Sequence, residues 1–208
     1  MKTTDAGPAK PRGRPRSFDR EQALERAMQV FWKQGYEATS IHDLTRAMRI
    51  NPPSLYAAFG DKERLFMEAV ERYQRECGPA VGCILDQAPT ARGAIERLLV
   101  ESAGQMAHRG DPRGCMLITS DANCSAPSVQ SALAGRREDQ KAALKARIDR
   151  GVREAELPRG TDTAALADFY TTVLQGMAIR ARDGATRKSL LAAAEAAMRA
   201  WPGSRKAR

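Results

Sequence analysis

The sequence predicts an all-α fold in which a small N-terminal domain is followed by a larger helical domain. Apolar residues recur three and four positions apart along most of the 208 residues, which is typical of amphipathic helices. Within residues 39–62, capping residues mark the start and end of two short helices. The length is sufficient for one good hydrophobic core or two modest ones.

Basic residues are in excess at the two ends of the chain. The formal net charge is +9 and the pI is about 9.8. Residues 1–60 carry ten basic and six acidic residues, residues 61–198 carry twenty and nineteen, and residues 199–208 carry four and none. The net charge suggests an anionic partner, and a basic protein without such a partner is the alternative. The excess charge lies at the ends of the chain and not in its body.

Neither a membrane span nor a secretion signal is predicted. No apolar run reaches the roughly 18 residues of a span, and the N-terminus lacks the apolar segment of a signal peptide. We therefore expect a cytoplasmic protein without a membrane partner. The four cysteines are irregularly spaced, so reduced thiols are expected rather than a disulfide framework.

Residues 1–16 are predicted to form a disordered basic arm, and residues 203–208 a basic tail. The arm contains three prolines, five basic side chains and a single acid, a composition that cannot bury apolar surface. Arg14 and Arg16 flank a proline, and an extended Arg-Pro-Arg segment can lie in a narrow A·T-rich minor groove. A solvated tail without DNA contacts is the alternative.

The first two helices have recognisable ends. The first is expected to run from an N-cap at Asp19 to Gly35, a residue type that commonly ends helices. The second begins at Ser40, which forms a capping pair with Asp43, and its apolar pattern breaks at residues 49–51. The apolar stripe of the first helix consists of Leu24, Ala27, Met28 and Phe31.

The third helix begins after a turn of about three residues, as in a helix-turn-helix. Asn51 suits the N-cap, and Pro52 suits the first helical position, where no amide hydrogen is needed. Leu55 and Phe59 form its inward face, and the outward side chains are mostly small. A helix with little outward bulk can enter a DNA major groove, which is roughly 12 Å wide.

Residues 31–40, Phe-Trp-Lys-Gln-Gly-Tyr-Glu-Ala-Thr-Ser, and residues 53–63, Pro-Ser-Leu-Tyr-Ala-Ala-Phe-Gly-Asp-Lys-Glu, resemble the DNA-binding domain of the TetR/AcrR family of transcriptional regulators. The resemblance implies a helix-turn-helix DNA-binding domain over residues 17–64 and a helical ligand-binding and dimerisation domain over residues 65–202. It also implies a homodimer that binds a double-stranded operator and a small-molecule inducer. Such a protein would be a repressor, with no enzymatic activity and no cofactor.

The resemblance also implies which residues contact DNA. Phosphate contacts are expected where the second helix begins, although Tyr36 could instead only pack against the turn. Tyr56 is placed toward phosphate, with a core position as the alternative. Lys62 lies at the start of the next helix, where a cation and free amides can meet a phosphate. The predicted DNA-binding residues are Arg14, Arg16, Tyr36, Thr39, Ser40, Pro52, Pro53, Ser54, Tyr56, Ala58 and Lys62.

The third helix departs from the pattern of a polar base reader. Pro52 and Ala58 stand where some relatives carry hydrogen-bonding side chains, so bidentate base recognition is not expected at these positions. We expect thymine-methyl contacts and backbone positioning to supply much of the base recognition.

The remaining sequence predicts several further helices. A connecting helix from Asp61 is expected to end before Gly78, and another spans residues 94–106. An apolar helix is expected to begin at Cys115, and a long helix follows Pro127.

Apolar stripes over residues 166–177 and 190–201 are wider than one neighbouring helix requires. The resemblance implies that these two helices form a four-helix dimer interface, and an intrachain core is the alternative. The predicted interface residues are Val173, Leu174, Met177, Leu191, Ala194 and Met198. The candidate ligand-binding residues are large or polarizable side chains on helices that would border a cavity: Phe66, Met67, Tyr73, Cys115, Met116, Phe169 and Tyr170.

Cys115 follows a glycine at a predicted helix N-terminus, where the helix dipole lowers the pKa of a thiol. It is therefore a candidate sensor of electrophiles or oxidants, with a packing residue as the alternative. The other cysteines and His108 show no paired metal-ligand spacing, so no metal site is predicted. The two histidines and the lack of a nucleophile motif disfavour a hydrolase. A non-specific nucleic-acid binder would not need the second domain.

Overall fold

The computed structural model describes residues 18–108 and 112–203, and for residues 78–80 it describes only the backbone. Within these ranges the chain forms nine α-helices and no strand, which confirms the all-α prediction. The predicted arm, with Arg14 and Arg16, lies outside the described residues, as does the tail beyond residue 203. The helices are α1 Arg20–Gln34, α2 Ile41–Met48, α3 Pro52–Phe59, α4 Lys62–Gln87, α5 Ala91–Met106, α6 Met116–Thr119, α7 Pro127–Arg153, α8 Thr163–Arg182 and α9 Arg187–Met198.

The first three helices begin at the N-capping residues that the sequence indicated. The Asp19 carboxylate accepts hydrogen bonds from two amides in the first turn of α1. Ser40 and Asp43 form a reciprocal capping box on α2. The Asn51 side chain accepts from the Ser54 amide at 2.8 Å and starts α3. Each cap satisfies amides that a helix leaves without an intrahelical partner.

The N-terminal domain closes around a small apolar core to which α4 contributes its first turns. Phe31, Leu44 and Leu55 are fully buried, as is Phe66 on α4. The Phe31 and Phe66 rings meet edge to face with centroids 5.0 Å apart, a favourable geometry for an aromatic pair. The helix-turn-helix is therefore fixed directly to the helix that enters the second domain.

The connecting helix α4 does not end before Gly78, as the sequence suggested, but continues to Gln87. A proline inside a helix removes one backbone hydrogen bond and costs about 3 kcal/mol. Beyond Pro79, Ile84 and Leu85 are buried in the core. Burying two large aliphatic side chains stabilises by roughly 3–6 kcal/mol, which is enough to offset that cost. Within the described ranges, no helix is both long and apolar enough to cross a membrane.

In the larger domain, α5 packs against α4, α8 and α9, while α7 packs against α8 and α4. The apolar helix expected at Cys115 is the single turn α6, which ends at Thr119. The long helix after Pro127 and the two C-terminal helices are present as predicted. The C-terminal pair α8 and α9 also pack against each other, and this leaves one side of each helix toward solvent.

Candidate nucleic-acid interface and ligand cavity

Helix α3 presents an outward surface of small side chains and one tyrosine. Its inward residues Leu55 and Phe59 are buried in the N-terminal core, whereas Pro52 and Pro53 are exposed. Tyr56 is 49% exposed, so it does not belong to the core. Ser54 and Ala58 are half-buried at the edges of the same surface. The helix is therefore held from behind and its other side is free for contact.

Tyr36 and Lys62 lie together at one end of this surface. The Lys62 Nζ lies 4.3 Å from the centroid of the Tyr36 ring and donates a hydrogen bond to the Glu37 carbonyl at 3.4 Å. Partial burial raises the pKa of Tyr36, with the Glu63 carboxylate as the next cause. The hydroxyl therefore keeps its proton at neutral pH and can donate to a phosphate.

The hydroxyls of Thr39 and Ser40 are already used within the protein. Thr39 is 1% exposed, and its Oγ1 donates to the Gly35 carbonyl at 2.6 Å. Ser40 Oγ donates to the Asp43 carboxylate at 2.6 Å and accepts from the Asp43 amide at 3.1 Å. These bonds shape the α1–α2 connection. The phosphate contacts predicted for the two residues stay predictions.

Arg20 supports α3 from behind, a role that the sequence did not suggest. Its guanidinium donates to the Ala58 carbonyl at 3.3 Å, pairs with Glu68 at 2.7 Å and lies 4.4 Å from the centroid of the Phe59 ring. Since these partners are 38 to 48 residues away in the chain, no local pattern could have revealed the contact.

A cavity of about 830 Å³ lies between α1, α4, α5, α7 and the segment around α6. Its interior is largely apolar, and polar side chains line its edge. Of the seven candidate ligand-binding residues, Tyr73 and Cys115 line it. The sequence did not assign the other apolar lining side chains to a ligand site, and one of them, Leu174, was predicted at the dimer interface. These side chains include Trp32, Met106, Leu117, Ile118, Leu144 and Leu174.

The other five candidates lie elsewhere. Phe66 and Met116 are fully buried in the core, and Met67 is half-buried beside it. Tyr170 is buried, and its hydroxyl donates to the Ala197 carbonyl at 3.3 Å. Phe169 is exposed on the outer side of α8. Helical periodicity identified most of these residues as apolar positions, but it could not show which of them border an empty space.

Cys115 lies in the cavity wall beside Tyr73, whose hydroxyl is 3.3 Å from the sulfur. Burial raises the pKa of the Cys115 thiol, and the Tyr73 hydrogen bond offsets part of that shift. The prediction that this pKa lies below its ordinary value is therefore wrong. Hydrogen bonds from the Leu117 and Ile118 amides at the start of α6 do lower it, but burial outweighs them.

Two open apolar grooves lie at the surface. One lies between the outer sides of α8 and α9, and the other lies between the start of α8, the loop before it and residues 200–203. Val173 lines one groove, and Leu191 is half-buried. Ala194 and Met198, however, are buried within the chain. Met177 borders a groove but is also mostly buried, and Leu174 lines the cavity. Phe169, Gly176, Arg180, Ala193 and Ala196 complete the outward surface.

Within the described ranges, no group of three or more histidine, cysteine or acidic side chains could hold a metal ion.

Comparison with known proteins relates both halves of the chain to one family. Residues 23–69 match the family described as "Bacterial regulatory proteins, tetR family", and residues 94–200 match "Tetracyclin repressor-like, C-terminal domain". The HTH-type transcriptional repressor ComR of Escherichia coli (strain K12) is 34% identical over 196 residues, 93% of each chain. The repressor BdcR of the same strain is 30% identical over 183 residues, 88% of each chain.

A solved structure shares both sequence and fold with this chain. It is a cysteine mutant of the TetR family transcriptional regulator CifR complexed with 26bp double-strand operator DNA. It is 44% identical, with a TM-score of 0.87 over 91% of this chain and 100% of that chain. A putative TetR transcriptional regulator from Rhodococcus sp. RHA1 is 36% identical, with a TM-score of 0.60 over 88% of this chain and 100% of that chain.

Proposed function

Because the chain belongs to the TetR family of bacterial regulatory proteins, we propose that it is a transcriptional repressor that binds a pseudo-palindromic operator as a homodimer. The observation that carries this proposal is the outward surface of α3, which is supported from behind by buried Leu55 and Phe59. One such helix from each subunit would enter successive major grooves, about one DNA turn apart. Binding at a promoter would block transcription.

The proposed DNA contacts divide by role. Pro52, Pro53, Ser54 and Ala58 face base edges and read sequence. Phosphate contacts position the protein and contribute affinity that depends on salt. They come from Tyr36, Ser40, Tyr56 and Lys62, whereas buried Thr39 shapes the α1–α2 connection through its bond to the Gly35 carbonyl. Arg14 and Arg16 of the N-terminal arm would add contacts in the minor groove.

The test of this proposal is footprinting on the DNA that flanks the protein's own coding region. We expect a protected site with two related half-sites whose centres are about one helical turn, or a multiple of it, apart. Affinity for that site should exceed affinity for random duplex DNA by at least about a thousandfold at one stated salt concentration. Equal affinity for both would indicate a non-specific nucleic-acid binder.

Two substitutions on α3 distinguish contacts with bases, which recognise the sequence, from contacts with phosphates, which position the protein. Ser54→Ala should weaken binding to the operator by roughly 1–3 kcal/mol if the serine contacts a base. It should weaken binding less to operator variants in which that base pair is changed. Tyr56→Phe removes a phosphate donor, so it should weaken binding to all duplexes similarly. Affinities measured on a panel of single-base variants would distinguish the two patterns. Equal losses for both proteins on every duplex would contradict the assignment.

We further propose that the cavity binds a small, largely apolar inducer. Two of the carboxylates at its edge are already paired, Glu76 with Arg72 at 2.9 Å and Glu101 with Arg97 at 2.6 Å. Arg136 and Asp139 also line the cavity, so it is the apolar interior, and not a lack of charge at the edge, that favours an apolar ligand. An inducer that prefers the conformer with wrongly spaced α3 helices would release DNA in proportion to its preference for that conformer. Repeating the footprint with candidate ligands tests this release.

A thiol-based sensor with the same fold is the second candidate, because Cys115 lies in the cavity wall beside a hydrogen-bond donor. In this version, an electrophile that enters the cavity would modify the Cys115 sulfur and release DNA. The Cys115→Ser variant should then remain on the operator in the presence of the electrophile. If the electrophile still releases this variant, the thiol is only a packing residue.

A further inference from the structure

The segment of residues 115–125 runs from the cavity wall to the N-terminal domain. At its start, Cys115, Leu117 and Ile118 line the cavity. At its end, Ser125 lies against the connection between α1 and α2. One stretch of eleven residues therefore borders both the proposed ligand site and the DNA-binding domain.

Two sets of hydrogen bonds join this segment to the α1–α2 connection. The Tyr36 amide donates to the Ser120 carbonyl at 2.8 Å. The Glu37 carboxylate accepts from the Ser125 amide at 2.9 Å and from the Ser125 hydroxyl at 3.0 Å. The approach is close at Gly35, which has a φ of +81°, since a side-chain carbon there would lie 3.3 Å from the Ser120 carbonyl oxygen.

These bonds hold Tyr36, which is proposed to contact phosphate, and Glu37, which contacts a second such residue, Lys62. Glu37 accepts from Ser125 through its side chain and from Lys62 through its backbone carbonyl, at 3.4 Å. Lys62 in turn lies over the ring of Tyr36, whose own amide is bound to Ser120. A shift of residues 115–125 would therefore move the backbone at residues 36 and 37, which carries Tyr36 and holds the Lys62 side chain.

The segment is also fixed to the larger domain. Arg137 on α7 donates to the Leu117 carbonyl at 2.7 Å and pairs with Asp121 at 3.0 Å. Thr119 donates through Oγ1 to the Cys115 carbonyl at 3.0 Å, which closes the turn of α6. The segment is thus held at several points, and movement of the cavity wall would be passed along it.

We infer that Glu37 and Ser125 are positioning residues, whose contact couples the cavity wall at residues 115–118 to the phosphate-contacting pair Tyr36 and Lys62. This coupling runs through residues 115–125 and not along the length of α4, which it meets only at its first residue, Lys62. The inference rests on the proposed function, because it assumes that Tyr36 and Lys62 contact operator DNA and that the cavity binds a ligand. By linkage, DNA that fixes the α1–α2 connection must also restrain the cavity wall.

The test compares full-length wild type with Glu37→Ala, Ser125→Ala and the double variant. Glu96→Ala and Ser128→Ala are matched controls, since both residues are exposed, on α5 and α7. The first measurement is hydrogen exchange at the Tyr36 amide without DNA. It should become about tenfold faster in the Glu37 and Ser125 variants and stay unchanged in the controls.

Two features identify the cause of that change. The double variant should exchange no faster than the single variants, because each substitution removes the same contact. Glu37→Gln, which loses the charge but keeps an acceptor oxygen, should retain most of the protection. If exchange at Tyr36 is unchanged in all these variants, the inference is overturned.

The second measurement is alkylation of Cys115 by iodoacetamide, with and without the footprinted duplex at saturating concentration. Exposed Cys83 is the internal standard. DNA should slow alkylation of Cys115 several-fold in wild type, and this protection should disappear in Glu37→Ala and Ser125→Ala while DNA still binds. Protection that persists at the wild-type level in both variants would overturn the coupling, as would its absence in wild type.

The two proposals fail in different ways. If the wild-type protein recognises no specific duplex, the proposed function fails. Hydrogen exchange at Tyr36 is measured without DNA, so it still decides whether Glu37 and Ser125 hold the connection. Faster exchange would support that positioning role, and unchanged exchange would exclude it.

Discussion

The pair formed by Tyr73 and Cys115 shows how burial selects protonation states. Burial raises the pKa of the Cys115 thiol, and it also raises that of Tyr73 well above its ordinary value, with the Cys115 sulfur as the next cause. At neutral pH the tyrosine is therefore the donor and the sulfur the acceptor. Since the thiolate is the reactive form, a thiol in this state reacts slowly with electrophiles.

The alkylation rate of Cys115 should therefore lie below that of exposed Cys83 at neutral pH. It should continue to rise at pH values where an ordinary thiol has already lost its proton. Tyr73→Phe removes a hydrogen bond that lowers the Cys115 pKa, so at a fixed pH it should slow alkylation roughly threefold to tenfold. Peptide mass spectrometry after timed iodoacetamide exposure measures both rates. Equal pH profiles for the two cysteines would contradict the assignment.

At the scale of the single helix, a boundary could be predicted from the sequence where the residues that set it lie close to it in the chain. The caps at Asp19, Ser40 and Asn51 act on amides two or three residues away, so the starts of α1, α2 and α3 could be predicted from the sequence. The continuation of α4 past Pro79 depends on where Ile84 and Leu85 are buried. That information comes from packing, and no local pattern carries it.

Helix α7 is tied to the junction of α4 and α5 by a buried charge. Arg147 is 4% exposed, donates to the Ala88 carbonyl at 3.2 Å and pairs with Glu156 at 3.6 Å. Glu156 also accepts from the Ala91 amide at the start of α5. Two guanidinium nitrogens of Arg147, Nε and Nη1, are buried and have no hydrogen-bond partner among the described residues. Among the described residues, Glu156 is the carboxylate that pairs with the buried charge of Arg147.

Removing that carboxylate should cost more than removing the whole pair. Glu156→Gln leaves the Arg147 charge buried and unpaired, which should lower the free energy of unfolding by about 3 kcal/mol or slightly less, because Glu156 is partly exposed. Arg147→Met should cost no more than about 1 kcal/mol, and adding it to Glu156→Gln should recover stability. Urea denaturation of the three variants measures these values. Additive losses would show that the two side chains do not interact.

At the scale of the whole molecule, sequence periodicity predicted that α8 and α9 are amphipathic but not what covers each side. Met177 and Met198, predicted for the dimer interface, are mostly buried within the chain, whereas Leu174 faces the cavity. A stripe of apolar residues has the same spacing whether a neighbouring helix, a ligand or a second subunit covers it. The cavity was hard to predict for the same reason, because its walls come from helices distant in sequence.

The outward surface of α8 and α9 is therefore what remains for a second subunit. Phe169 is 39% exposed, and Val173 and Ala193 lie beside it in a shallow apolar groove. An exposed apolar patch of this kind is typical of an interaction surface. A second copy that brings the same pair of helices would cover both patches about a twofold axis.

A single arginine in this groove should separate the dimer without unfolding the subunit. Ala193→Arg places a charge in the groove, whereas the matched control Ala134→Arg places the same charge at an exposed position of α7. Sedimentation at micromolar concentration should show a monomer for the first variant and a dimer for the control. Because a monomer binds one half-site at a time, operator affinity should fall at least about a hundredfold. A dimeric Ala193→Arg variant with wild-type affinity would place the interface elsewhere. The spacing of the two α3 helices would then have to be set by another surface of the larger domain.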